Sequence, residues 1–136
     1  MGQTSQVIYN GSLRTSATHV KSGNELITDA PTDNNGRGEA FSPTDLVATS
    51  LASCMITIMG IRAAKMGVNI DGTRAEVEKI MASGPRRIEE IVVHLHIPNA
   101  SIEEKNRKIL EHAAETCPVA LTLHPDTKQS ITFHWQ

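Results

Sequence analysis

The chain has 136 residues, a net charge of −2, and an ordinary globular balance of 39% hydrophobic and 21% charged residues. That length supports one core and a single domain over residues 1–136, and the weakly acidic charge excludes general nucleic-acid binding, which needs a positive surface. Aromatics at 3% are too few for a base-stacking face, and two cysteines exclude both a disulfide-rich scaffold and a four-thiolate zinc site.

The opening MGQTSQVIYNGS has no basic stretch followed by an apolar one, so no secretion signal is expected and the cytoplasm is the expected location. Three strand-like runs follow: Val7-Ile8-Tyr9, Leu13 to Val20, and Glu25 to Thr28. Asn10-Gly11 and Ser22-Gly23-Asn24 separate them, and such pairs between strands signal hairpins. Asp29 to Gly38 is rich in turn residues and reads as a loop.

Ser42-Pro43-Thr44-Asp45 opens a helix. Serine suits the N-cap, proline the first helical position, and aspartate the positive helix end. The helix is expected to run to about Lys65 and to stop at Gly67. Its stretch from Leu46 to Ala64 is long enough to raise a membrane question. Thr49, Ser50, Ser53, Thr57, Gly60 and Arg62 dilute it, so a soluble buried helix is expected and no membrane partner. Apolar nearly all round, such a helix is surrounded by protein, which suggests a partner subunit.

Two further strands are expected, around Arg74 to Met81 and Glu89 to Ile97, with a turn at Ser83-Gly84-Pro85-Arg86. In the second, Ile91, Val93, Leu95 and Ile97 alternate with Val92, His94 and His96, the period of a half-buried strand. Ser101-Ile102-Glu103-Glu104 reads as a capping box for a second helix. Ile102, Ile109, Leu110, Ala113 and Ala114 fall on one stripe of it, and Pro118 ends it near Thr116. Cys117 can cap a short helix restarting at Pro118. Alternation from Ser130 to Trp135 makes a last strand. The order is that of an α+β fold with antiparallel sheets and two main helices.

The residues that can carry chemistry are few. Cys54 sits mid-way along the first helix, where it is either a small core hydrophobe or a thiol in use. Cys117 stands at a possible helix N-terminus, where free amides and the helix dipole favour a thiolate. His94, His96 and His134 could share a sheet face and approach a zinc or copper ion, but an open polar face explains them as well. No resident metal or cofactor is expected.

Ser42 to Cys54 (SPTDLVATSLASC), with Cys117-Pro118-Val119 after a second helix and a closing strand, resembles the OsmC/Ohr family of osmotically inducible and organic hydroperoxide resistance proteins. The resemblance covers nearly the whole chain and rests on the order and spacing of these fragments. It implies an OsmC-like fold in an intertwined homodimer and a thiol peroxidase acting on organic or inorganic hydroperoxides. Cys54 matches the attacking cysteine and Cys117 the resolving one, with an external dithiol as reductant. The family also uses an arginine near the early hairpin, held by a glutamate at the start of the central helix. Thr44 stands at that glutamate's position here, with Asp45 beside it and Glu39 upstream. Arg14, Lys21 and Arg37 are the candidate cations, with Arg14 and Glu39 the expected site residues. This departure suggests a divergent OsmC-like branch. The alternatives are a non-catalytic binding protein that keeps the fold, or a structural dimer with inert cysteines.

Overall fold

The computed structural model describes residues 2–136 as two compact units, Met1–Val47 and Ala48–Gln136. The first unit is an antiparallel meander of β1 (Ser5–Gly11), β2 (Arg14–His19) and β3 (Glu25–Asp29). Its first hairpin turns through Gly11, Ser12 and Leu13, all with positive φ, and the β1 register shifts between Tyr9 and Gly11. After β3 comes the expected loop, with a 3-10 turn at Thr32–Asn34. It folds back tightly: a Cβ on Gly36 would lie 1.7 Å from the carbonyl oxygen of Ala30, so only glycine fits there.

Helix α1 spans Pro43–Met66 and stops before Gly67, whose φ of 71° is left-handed, as expected of a C-terminal glycine. Its start is a reciprocal cap. The Asp45 amide donates to Ser42 Oγ and the Ser42 amide to Asp45 Oδ2, both at 3.0 Å. Aspartate thus does the work that glutamate does in a capping box, and Ser42 is buried. Ser42→Ala is expected to cost about 0.5–2 kcal/mol, measurable by chemical denaturation, with the expected secondary structure retained in the circular dichroism spectrum.

In the second unit β4 (Arg74–Ser83) and β5 (Arg86–Ile97) form a long hairpin, followed by α2 (Glu104–Glu115), α3 (Pro118–Thr122) and β6 (Lys128–Trp135). Ile91, Val93, Leu95 and Ile97 are fully buried, as their alternation requires. They pack with Leu51, Met55 and Met59 of α1 and Leu110 and Ala114 of α2 in one core. One face of α1 is thereby covered, while Ser53, Thr57 and Ile61 stay exposed. By length and composition alone α1 could cross a membrane, and its buried face is the packing surface of this core.

Two expectations need correction. The second sheet is mixed, because β6 runs parallel to β5 from Glu90↔Lys128 to Ile97↔Trp135. The crossover through α2 and α3 returns the chain to the same end of the sheet, which dictates a parallel pairing. The capping box at Ser101 does not form either. Helix α2 starts at Glu104 after Glu103 with no side-chain cap, and Ser101 Oγ donates instead to Asn99 Oδ1 at 2.6 Å. The helix starts later than the pattern suggests, with Glu103 at the N-cap, so Ser101 lies outside it and joins a local turn with Asn99.

Candidate active site

The two sulfurs belong to α1 and to the cap of α3. Cys54 is half-buried on α1, and Cys117 has no exposed surface. Cys117 is the expected N-cap of α3, where its Sγ accepts the Ala120 amide at 3.4 Å. From β6, Gln129 Nε2 donates to the Ala120 carbonyl at 3.0 Å and ties this short helix to the sheet. Burial pushes the Cys117 thiol above its ordinary range, against the opposing pull of the Ala120 amide, and the neighbouring Cys54 thiol adds to the rise. The fold therefore brings the two thiols, distant in sequence, to one place: Cys54 packs against the core that contains Cys117 and acts on its thiol. Both are free in the structure. Because Cys117 is held as the neutral thiol, its contribution to stability is full below about pH 8.5, the ordinary thiol value. That contribution falls as pH rises from there through the folded-state value.

The first unit supplies a cluster of charges. Arg14 opens β2 directly opposite Asp29, the last residue of β3. The guanidinium grips that carboxylate with two bonds, Nε to Oδ1 and Nη2 to Oδ2, each 2.7 Å. Arg14 Nη2 also donates to Glu39 Oε1 at 3.1 Å. The Glu39 amide donates to Asp29 Oδ2 at 3.2 Å, so the loop closes onto the same acid. Asp29 has no exposed surface, whereas the Glu39 side chain is 67% exposed. A bidentate, buried carboxylate holds an arginine in place far better than an exposed one at a single point.

The Arg14 guanidinium lowers the Asp29 carboxyl below its usual value, chiefly through these hydrogen bonds, and Asp29 raises the Arg14 pKa in turn. An acid lowered in this way stabilises the fold above its unfolded pKa, near 4, and loses that contribution as pH falls through the folded value. The stability gap between the wild type and Asp29→Asn is therefore expected to be full at pH 7 and to shrink steadily below about pH 4. Denaturant midpoints measured across pH 2–7 check it; a gap that stays constant with pH contradicts the assignment.

Of the four residues selected from sequence, Arg14 and Glu39 meet in one cluster, and Cys54 and Cys117 in the other. Asp29 was missed. In sequence it reads as the first residue of the loop, although an acid one strand away from an arginine in a hairpin pattern is a usable signal. Thr44 uses its hydroxyl locally, 3.2 Å from Ser42 Oγ. Arg37 contributes only a weak electrostatic effect on Asp29.

The histidines do share the outer face of the β4-β5-β6 sheet. His94 Nδ1 and His134 Nε2 are 3.0 Å apart, His96 stacks on His134 with ring centres at 4.6 Å, and His96 Nε2 lies 2.7 Å from Glu76 Oε1. The imidazoles thus engage one another and an acid. Among the described residues no group of three or more His, Cys, Asp or Glu is arranged to hold a metal ion.

The family model for OsmC-like proteins matches residues 36–132, a span that includes both cysteines. This chain belongs to the OsmC-like family. A crystal structure from Psychrobacter arcticus 273-4, of a protein given a provisional osmotic-stress and detoxification name, is 54% identical over 98% of this chain and 97% of its own, with a TM-score of 0.95. An organic hydroperoxide resistance protein OsmC from Legionella pneumophila shares the fold at 17% identity, covering 97% of each chain with a TM-score of 0.76. An OsmC-like protein from Mycoplasma pneumoniae does so at 16% identity, over 96% of this chain and 94% of its own, with a TM-score of 0.79. No curated protein matches the chain. The α+β architecture of two sheets and two main helices is that of these OsmC-like structures.

Proposed function

We propose that the protein is a thiol-dependent peroxidase that reduces hydroperoxides through Cys54 and Cys117. The packing of Cys54 against the core that contains Cys117, in a chain of the OsmC-like family, carries this reading. A Cys54 thiolate attacks one peroxide oxygen, the O–O bond breaks, and the leaving alkoxide takes a proton to become an alcohol. Cys54 is then a sulfenic acid. The Cys117 sulfur attacks it, water leaves, and a Cys54–Cys117 disulfide forms. An external dithiol reduces that disulfide by exchange and is itself oxidised by two electrons, which balances the two electrons taken up by the peroxide.

On this reading Cys54 is the attacking residue because it is the less buried of the two, and Cys117 resolves because burial keeps it a neutral thiol until attack. Arg14, held by Asp29 and Glu39, is the candidate for the arginine that the family uses. A cytoplasmic setting, where thiols stay reduced, suits the cycle. The test is consumption of cumene hydroperoxide by reduced protein with a dithiol, followed by mass spectrometry after one equivalent of peroxide. Loss of two hydrogens mapped to a Cys54–Cys117 link supports the proposal. Two surviving thiols and no consumption would instead support a binding protein.

The working form we propose is a homodimer. Val7, Ile8 and Tyr9 of β1 are each more than 60% exposed, and Leu26 and Ile27 of β3 more than 40%. These neighbours point to both faces of the first sheet, and so much adjoining apolar surface is characteristic of an interface. A second copy of the chain is the occupant that OsmC-like membership suggests. Light scattering on the purified protein is expected to give twice the 14.8 kDa chain mass; a monomer mass at micromolar concentration rejects the dimer.

A further inference from the structure

A cavity of about 560 Å³ opens beside the second half of α1 and the middle of α2, lined by Arg62, Lys108, Ile109, His112 and Ala113. Three of its five residues carry or can carry positive charge, in a chain whose net charge is −2. Little opposes them. Helix α1 has no acid after Asp45. On α2, Glu104 reaches Lys108 only at 3.8 Å, with both side chains about three-quarters exposed, a pairing of little worth in water. Glu111 accepts the Trp135 indole N–H at 2.9 Å and Glu115 follows His112 by one turn; both acids belong to α2, and neither is ion-paired with a basic residue of the cavity. Among the described residues no carboxylate pairs with Arg62 or His112.

Dipole complementation accounts for His112, which lies in the last turn of α2, but not for Arg62. The basic residue in the last turn of α1 is Lys65, and Arg62 lies outside that turn, lining the cavity instead. The floor is apolar, made by Ile109 and Ala113. These are the two positions of the α2 stripe that the core does not bury completely. The volume exceeds what an inorganic ion needs and falls in the range of small-molecule sites.

We propose that this cavity binds a small organic phosphate. Arg62 and Lys108 hold the dianionic head, with His112 as a further donor, and the apolar part of the ligand rests on Ile109 and Ala113. A guanidinium fork matches two phosphate oxygens, and a lysine ammonium supplies the second charge.

The probes are phenyl phosphate and inorganic phosphate, titrated calorimetrically into the full chain at constant ionic strength. Phenyl phosphate is expected to saturate one site per chain and to bind at least about tenfold more tightly than inorganic phosphate, because its ring covers the apolar floor. Arg62→Gln and Lys108→Gln are each expected to weaken it about tenfold or more, as loss of a charge-assisted hydrogen bond does. Lys21→Gln, in an exposed turn of the other unit, is expected to leave it unchanged. Both altered side chains are exposed, so the variants fold, and an unchanged thermal midpoint shows it. No saturation by phenyl phosphate, equal affinity in Arg62→Gln, or equal binding of the two probes each overturns the proposal. Peroxide consumption is not the readout, so this inference stands or falls apart from the peroxidase reading.

Discussion

Cys54→Ser is expected to lower peroxide consumption by at least about a hundredfold, because a hydroxyl at neutral pH is a far weaker nucleophile than a thiolate. The serine is nearly isosteric and the site is only half-buried, so the melting temperature is expected to change little. Cys117→Ser is the informative companion. It leaves the attacking sulfur but removes the group that condenses with the sulfenic acid. One equivalent of peroxide is still expected to react, while turnover with a dithiol falls and sulfinic acid accumulates at Cys54. Stopped-flow measurement of the first turnover, beside steady-state consumption, separates the two variants. Equal first-turnover rates in wild type and Cys54→Ser contradict the assignment of the attacking residue. In native protein at pH 7, alkylation is expected to label Cys54 well before Cys117, which is fully buried with its thiol pKa raised.

Leu95→Ala is expected to cost about 2–5 kcal/mol, the range for truncating a fully buried leucine. Leu95 lies near the C-terminal end of β5, the middle strand of its sheet, with Ala75 of β4 and Phe133 of β6 as its register partners. Three strands and the helices therefore converge on one side chain, and the hole left by truncation has walls that cannot easily collapse. For a chain of this size that cost is a large part of the total stability. Urea unfolding checks it, with His96→Ala on the opposite face of the same strand as the comparison. A Leu95→Ala cost no larger than that of His96→Ala contradicts the assignment of the buried face.

Much of this was legible in the amino-acid order. The alternation of β5 named its buried face, Ser42-Pro43 and Gly67 bounded α1, and the two cysteine fragments pointed to the family. What was not legible depends on contacts distant along the chain. The direction of β6 follows from how a crossover returns, which no local pattern encodes. Asp29 looked like a turn residue because aspartate is common in turns. Only its pairing across the hairpin with Arg14 makes it a buried partner. Ser101 matched a capping box, yet the helix starts later and Ser101 joins a turn with Asn99, which spacing alone does not resolve.

The bond from Gln129 to the Ala120 carbonyl has a consequence for assembly. Helix α3 has only five residues, too short to hold its shape unaided. It carries Cys117 at its cap, and β6 is what braces it. During folding the Cys117 sulfur is therefore not held in place until β6 has docked on β5. The sheet acts as a latch on Cys117: under the proposed cycle, linkage to Cys54 waits for completion of the second unit. A lesion in Lys128–Trp135 would then show itself first as faulty thiol pairing, before any loss of the helices.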